Sequence, residues 1–212
     1  MVIRFSKKFM EKFGKTVHEG WRERTLVRKI VYYFIDWRNR KKATNLQKWV
    51  KKQIDNPSPE LVKLANNLKA DFNDLTMINI LRWVMFNAKY ISDKEKWDTP
   101  EYWETAEIAY KNMEFDCETG SVLMLVLARL AGIPHYQIRQ VAGTVKTKNG
   151  KSGHSFLVYQ SDINGIEYAM DWCFYPDDRI IPKRTPYLEL DYYLDEWFSF
   201  NDKESFGYRK LR

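Results

Sequence analysis

The most informative stretch of this chain is DCETGS, residues 116–121, which is followed by an apolar run to residue 131. The leucines and valines of the run recur at helical spacing, and GIP at residues 132–134 is a stop signal for a helix. The sequence therefore predicts Cys117 at the start of a buried helix, where free N–H groups and the helix dipole lower the pKa of a thiol. A nucleophile needs this environment, but a small apolar residue that opens a core helix would give the same pattern.

Two more polar residues lie in runs that alternate like strands. His154 belongs to the run SGHSFLVY, and Asp171 belongs to the run IEYAMDW. The dipeptide Asn164-Gly165 between them is a hairpin signal, so His154 and Asp171 are predicted on adjacent antiparallel strands. Together with Cys117 they form the set that a thiol nucleophile uses, because the imidazole accepts the thiol proton and the carboxylate orients the imidazole.

Five short motifs around these residues carry a family resemblance. They are Asp116-Cys117-Glu118, Gly153-His154, Met170-Asp171-Trp172, WDTPE at residues 97–101 and LAGIP at residues 130–134. Over roughly residues 75–175 the chain resembles the transglutaminase-like superfamily of cysteine enzymes, and more closely its bacterial transglutaminase-like cysteine peptidase branch. It departs from the usual pattern at Phe115, where the family often has glycine, and at Thr119, where the family often has an acidic residue.

The resemblance implies an α+β fold and a catalytic triad of Cys117, His154 and Asp171. The core would be papain-like, with the nucleophile at the N-terminus of a helix that packs on an antiparallel sheet. Cys117 would attack a peptide bond or a glutamine carboxamide of a protein or peptide substrate. Hydrolysis of the thioester acyl-enzyme makes the protein a peptidase or amidase, whereas transfer to an amine makes it a protein-glutamine transglutaminase. A third alternative is a non-catalytic binding or assembly module on the same fold.

The mechanism needs two donors for an oxyanion. The backbone N–H of Cys117 is the first. The second is expected from an upstream side chain, and the indole N–H of Trp103 is the candidate.

Positive charge is concentrated at the N-terminus. Residues 1–52 hold 16 Lys and Arg against 4 Asp and Glu, a net charge of +12, so the remaining residues carry −5 of the total of +7. We predict a basic helical N-terminal extension at residues 1–56 and a transglutaminase-like catalytic domain at residues 57–212. The simplest interpretation of the extension is an amphipathic helix with a solvated basic face. The alternative is a surface for nucleic acid, an acidic protein or a membrane.

Composition argues against several other classes. No apolar run has transmembrane length, and residues 1–10 lack the apolar block of a signal peptide, so a cytoplasmic location is expected. Two cysteines and three histidines give neither a disulfide framework nor a spaced set of metal ligands. No glycine-rich phosphate loop occurs, and we therefore expect neither a metal nor a cofactor.

Local signals predict further details. Ser58 and Pro59 indicate a helix start, and Thr99 with Pro100 indicates another helix that ends at about residue 111. Cys173 is expected to pack on the same strand face as Asp171. Residues 202–212 are expected to form a surface tail.

Overall fold

The computed structural model describes the backbone of residues 22–211 and the side chains of residues 34–211. The chain divides after residue 38, and the second compact unit begins at residue 39. The first helix of the described residues, α1, extends from Arg22 to Asp55. The predicted basic extension lies largely outside the described side chains, so its boundary at residue 56 and its binding partner stay predictions. None of the described helices is long and apolar enough to span a membrane.

Four further helices precede the cysteine helix, and three of them begin with a side-chain cap, from Ser58, Ser92 and Thr105. Ser58 caps the first of them by accepting the Leu61 N–H at 3.4 Å, with Pro59 at the first helical position, which confirms that predicted start. The start predicted at Thr99 is wrong, because the Thr105 side chain supplies the cap and residues 98–105 are not helical. These helices are α2 (Pro59–Leu68), α3 (Asn73–Asn87), α4 (Asp93–Trp97) and α5 (Ala106–Asn112).

The strands form two groups. Two short strands, β1 (Lys89–Tyr90) and β2 (Glu114–Phe115), form a parallel pair. The main sheet contains β3 (Ile138–Thr147), β4 (Gly150–Gln160), β5 (Glu167–Met170), β6 (Tyr193–Phe200), β7 (Ser205–Phe206) and β8 (Arg209–Lys210). Its order is β5-β4-β3-β6-β7, with β8 also on β6, and every pairing is antiparallel. The predicted α+β class and the predicted β4–β5 hairpin are therefore confirmed.

The cysteine helix, α6 (Cys117–Leu130), is the centre of the core. Its residues 119–128 are all buried, as its unbroken apolar run requires. A small polar layer fixes it on the sheet: Gln140 on β3 donates to the Glu118 carbonyl at 3.0 Å and to the Ser155 hydroxyl at 2.9 Å. The hydroxyl of Ser121 donates to the Ser155 carbonyl at 3.2 Å. These bonds set the position of the helix start relative to β4.

The C-terminal residues complete the sheet, so the predicted surface tail is wrong. Asn201 closes the turn after β6, because its side-chain oxygen accepts the N–H groups of Lys203 and Glu204, both at 2.8 Å. The neighbouring Asp202 is buried and accepts from Arg129 of α6 at 2.7 Å. The turn and this ion pair direct the chain back along β6, where β7 and β8 form.

Candidate active site

Cys117 is held in place by the first turn of α6. Asp116 is the N-cap residue, and its carboxylate accepts the Thr119 N–H at 3.2 Å. The turn lies directly against Trp172, since a Cβ atom added at Gly120 would lie 2.3 Å from the indole nitrogen. Only glycine permits this approach, so the cap and the glycine of the DCETG segment together fix where the thiol lies.

His154 and Asp171 form a buried hydrogen-bonded pair. His154 Nε2 lies 2.7 Å from Oδ2 of Asp171, the residue that directly follows β5. Asp171 also accepts from the Tyr193 hydroxyl at 2.8 Å and from the N–H groups of Cys173 and Phe174 at 3.2 and 3.0 Å. Burial alone would raise the pKa of Asp171, but His154 and these donors hold that pKa below its ordinary value. Asp171 is thus an ionised acceptor that fixes the imidazole ring.

Cys117 and His154 line the same cavity, which has a volume of about 240 Å³. The structure thus brings the three predicted residues together, with the thiol and the imidazole at the cavity and the carboxylate behind the imidazole. The sequence did not point to Tyr90 as a lining residue, because it lies in a strand of only two residues that carries no motif. The other lining residues are Tyr90, Val145, Thr147, Ser152, Gly153, Cys173 and Phe174.

The prediction that Cys173 continues the strand of Asp171 is wrong. Strand β5 ends at Met170, and the chain then turns so that the Cys173 N–H caps the Asp171 carboxylate. The Cys173 side chain lines the cavity with Cys117, and both cysteines are free thiols.

The thiol of Cys117 lies beside carboxyl groups, which the helix-dipole interpretation did not include. Its Sγ donates to Glu118 Oε2 at 3.2 Å. Burial raises the pKa of the Cys117 thiol well above its ordinary value, and Glu118, Asp116 and Cys173 raise it further, while the backbone N–H of Ser155 has a smaller lowering effect. The lowered pKa predicted for Cys117 is therefore wrong for the protein as described.

These carboxyl groups belong to a larger acidic cluster. Burial and the neighbouring Glu118 raise the pKa of Asp116 to about 9. Burial, Glu118 and Glu104 raise the pKa of Asp93 to about 6, against the lowering effect of a backbone N–H. Lys96 neutralises part of the charge, with its Nζ 2.7 Å from Glu104 Oε1. The other oxygen of Glu104 is buried and has no hydrogen-bond partner among the described residues.

Trp103 lies apart from the residues that line the cavity. Its indole N–H donates to Glu101 Oε1 at 2.8 Å, and its ring packs edge-on against Trp49 at a centroid distance of 6.5 Å. The oxyanion role of Trp103 stays a prediction, and because the N–H already has an acceptor we leave it out of the mechanism below.

Comparison with known proteins identifies similar structures. No family model and no curated protein sequence matches the chain. The calcium-bound structure of Legionella pneumophila LapG has a TM-score of 0.55 at 14% identity and covers 76% of this chain and 87% of LapG. The EGTA-treated form has a TM-score of 0.53 at 14% identity, with coverages of 76% and 84%. A third LapG structure has a TM-score of 0.52 at 15% identity, with coverages of 76% and 87%.

At this level of identity the similarity to LapG extends to the fold alone. LapG is a transglutaminase-like cysteine protease. In this chain the elements around the cavity are a buried helix that opens with cysteine and an antiparallel sheet that carries histidine next to aspartate. The chain therefore has a transglutaminase-like fold.

Proposed function

We propose that this protein is a cysteine peptidase or amidase, with Cys117 as nucleophile, His154 as general base and Asp171 as the carboxylate that orients the base. The observation that carries the proposal is that Cys117 and His154 line one cavity while Asp171 holds the far nitrogen of the imidazole at 2.7 Å. The likeness of the fold to LapG, a cysteine protease, supports the same reaction class.

In the proposed first step, His154 Nδ1 takes the proton from Cys117 Sγ as the sulfur attacks a carbonyl carbon. Nδ1 has this role because Nε2 faces Asp171. The carbonyl electrons move onto oxygen, and the Cys117 N–H at the helix start is available as a donor to this oxyanion. The C–N bond then breaks, the amine leaves with the proton from His154, and a thioester remains. Water gives a proton to His154, attacks the thioester and releases the carboxylic acid, and the proton returns to sulfur.

Water is the acyl acceptor that the cavity favours. Ser152 and Gly153 are exposed, and Tyr90 is 52% exposed, so the cavity is open to solvent. Transfer to an amine needs a site that retains the amine and limits water. None of the residues that line this cavity carries a carboxylate that would retain a lysine ammonium group.

A proteome-derived peptide library tests the proposal. We expect the protein to create new amino termini that mass spectrometry identifies, and we expect Cys117→Ala and His154→Ala to abolish them. His135→Ala is the matched control, because this histidine is outside the cavity and should leave cleavage unchanged. Cleavage that survives Cys117→Ala would refute the proposal. Incorporation of an added fluorescent amine in place of hydrolysis would identify a transglutaminase instead.

We also propose that the acidic cluster holds a calcium ion, as LapG does in one of its structures. Ligand atoms of the Asp116 and Glu118 carboxyl groups and of the Cys117 thiol lie within 4.8 Å of one another, and Asp93 and Asp116 both contact Glu118. Such crowded carboxyls need either protons or a cation, and the raised pKa of Asp116, about 9, is the signature of the proton form. Carboxylate oxygens suit calcium, so the residues fit the ion. Bound calcium would supply positive charge beside the first turn of α6.

Thermal unfolding tests the calcium proposal without an activity assay. Calcium at a hundredfold excess over its dissociation constant should stabilise the protein by about 2.7 kcal/mol, and EGTA should reverse the shift. Asp93→Asn should remove the stabilisation by calcium, whereas Asp71→Asn, at an exposed position, should retain it. An unfolding temperature of the wild type that millimolar calcium leaves unchanged would contradict the proposal.

A further inference from the structure

Strand β4 has one edge towards β3 and one towards β5. Its pairing register with β3 determines which residues direct their backbone N–H and C=O groups to each edge. The ladder with β3 is continuous from Gly150, which is opposite Thr147, so the alternation is fixed along the whole strand. In an antiparallel ladder every second residue directs its N–H and C=O away from the partner strand. Beyond the end of β4, the Ser161 N–H donates to the Ile166 carbonyl at 3.0 Å. This bond assigns the odd-numbered residues of β4 to the outer edge, on the side of β5.

Two elements, β5 and α6, cover successive positions of that outer edge, and a third position is uncovered among the described residues. Strand β5 covers Leu157 by pairing Met170 with it. The start of α6 covers Ser155, whose carbonyl accepts from the Ser121 hydroxyl at 3.2 Å. The next outward residue is Gly153, which is exposed, and β5 does not extend to it. Its carbonyl accepts only from the adjacent serine hydroxyl, at 3.3 Å, among the described contacts.

We propose that this free edge at Gly153 binds the backbone of an extended substrate segment, so that the substrate is an unfolded or loop polypeptide. This inference rests on the proposed function and names its substrate class. One substrate residue would donate its N–H to the Gly153 carbonyl and accept from the Gly153 N–H, as in an added antiparallel strand. Outward positions are about 6.6 Å apart along a strand. The adjacent substrate carbonyl therefore approaches the Ser155 end of the edge, where Cys117 lies.

A neighbouring ring leaves little room for a side chain at this position. A Cβ atom added to Gly153 would lie 2.8 Å from the ring of Trp197. That ring is fixed by a hydrogen bond from its Nε1 to the Thr144 hydroxyl at 2.9 Å. Residue 153 thus offers only its backbone to a ligand, and backbone pairing tolerates many substrate sequences.

Peptide chloromethyl ketones test the pairing, because the Cys117 thiolate displaces chloride from them and the adduct is measured by mass spectrometry. We expect acetyl-tetraalanine chloromethyl ketone to label Cys117 at least tenfold faster than acetyl-alanine chloromethyl ketone. N-methylation of each alanine in turn should remove the gain at alternate positions only, which is the period of a strand. Equal rates for the two reagents, or equal effects of every methyl group, would overturn the inference.

Two variants at one position isolate the Gly153 N–H. Gly153→Pro and Gly153→Ala both add a Cβ against Trp197, but only proline removes the donor. We expect the ratio of the tetrapeptide rate to the iodoacetamide rate to lose its tenfold gain in Gly153→Pro and to keep most of it in Gly153→Ala. Should Gly153→Pro fail to fold by circular dichroism, Lys151→Pro removes the next outward N–H of β4.

Iodoacetamide separates the two hypotheses. If wild-type Cys117 reacts with iodoacetamide but the tetrapeptide reagent has no advantage, the extended-segment inference fails and the proposed function stands. If Cys117 reacts with neither reagent, the proposed function fails and this inference fails with it.

Discussion

Replacing Tyr193 with phenylalanine removes one hydrogen-bond donor from the buried carboxylate of Asp171. The hydroxyl lies 2.8 Å from Oδ2, and Asp171 is fully buried. A hydrogen bond to a charged group contributes about 1.5–3 kcal/mol to stability. His154 and two backbone N–H groups remain, so the loss should not reach the roughly 3–5 kcal/mol of a charge left unpaired. We expect Tyr193→Phe to lower the free energy of unfolding at pH 7 by about 1.5–3 kcal/mol.

The effect of Tyr193→Phe should depend on pH in a definite direction. The pKa of Asp171 is lowered in the folded protein, so its hydrogen bonds stabilise the fold above the unfolded pKa of about 3.9. That stabilisation is lost as the pH falls through the folded pKa. The difference between wild type and variant should therefore be complete at pH 7 and shrink below about pH 4. Guanidinium denaturation followed by tryptophan fluorescence at pH 7 and pH 3.5 measures it.

Tyr187→Phe is the matched control. Tyr187 is equally buried in the same aromatic cluster, but its hydroxyl donates to Glu196 at the longer distance of 3.3 Å. Glu196 keeps Arg139 at 2.9 Å, so this variant should lose less stability than Tyr193→Phe. The reasoning about Asp171 is refuted if the two variants lose the same free energy at pH 7, or if the Tyr193→Phe difference is unchanged in acid.

Three further substitutions test the site. Asp171→Asn presents an amide N–H to His154 Nε2, which moves the imidazole proton to Nδ1 and removes the base. Peptide cleavage should therefore fall roughly 10⁴-fold in a folded protein. A loss below tenfold would contradict a wild-type imidazole that carries its proton on Nε2. Gly120→Ala should lower the free energy of unfolding by about 1–3 kcal/mol in thermal melts, because its methyl group overlaps Trp172. Glu118→Gln removes a negative charge that raises the pKa of the Cys117 thiol, so iodoacetamide should label Cys117 faster at pH 8. An unchanged or slower labelling rate would show that Glu118 does not control this pKa.

The elements that sequence predicted correctly are those with strong local signals. The apolar run after Cys117 has a helical period, and the structure buries it throughout. The hairpin signal at Asn164-Gly165 and the alternation on both sides of it are local too, which is why His154 and Asp171 could be assigned to neighbouring strands. Such patterns act within ten to fifteen residues, where spacing alone determines which side chains share a face.

The features that sequence missed depend on contacts between distant segments. Tyr193 reaches Asp171 across 22 positions in the chain. Asp93 meets Glu118 only after α4 folds against the start of α6. No periodicity or motif encodes these distances, so only the folded structure reveals them.

The resting state of Cys117 follows from a comparison of two electrostatic effects. A helix N-terminus stabilises a nearby anion by about 0.3–1 kcal/mol, and by about 2 kcal/mol in favourable buried geometry. A carboxylate about 4 Å away opposes the anion by about 4 kcal/mol at an effective dielectric constant of about 20. Glu118 lies closer than that, 3.2 Å from Sγ, so carboxylate repulsion together with burial outweighs the dipole. Both effects favour the thiol of Cys117 over the thiolate, so in the proposed mechanism His154 removes the proton during attack on the substrate rather than beforehand.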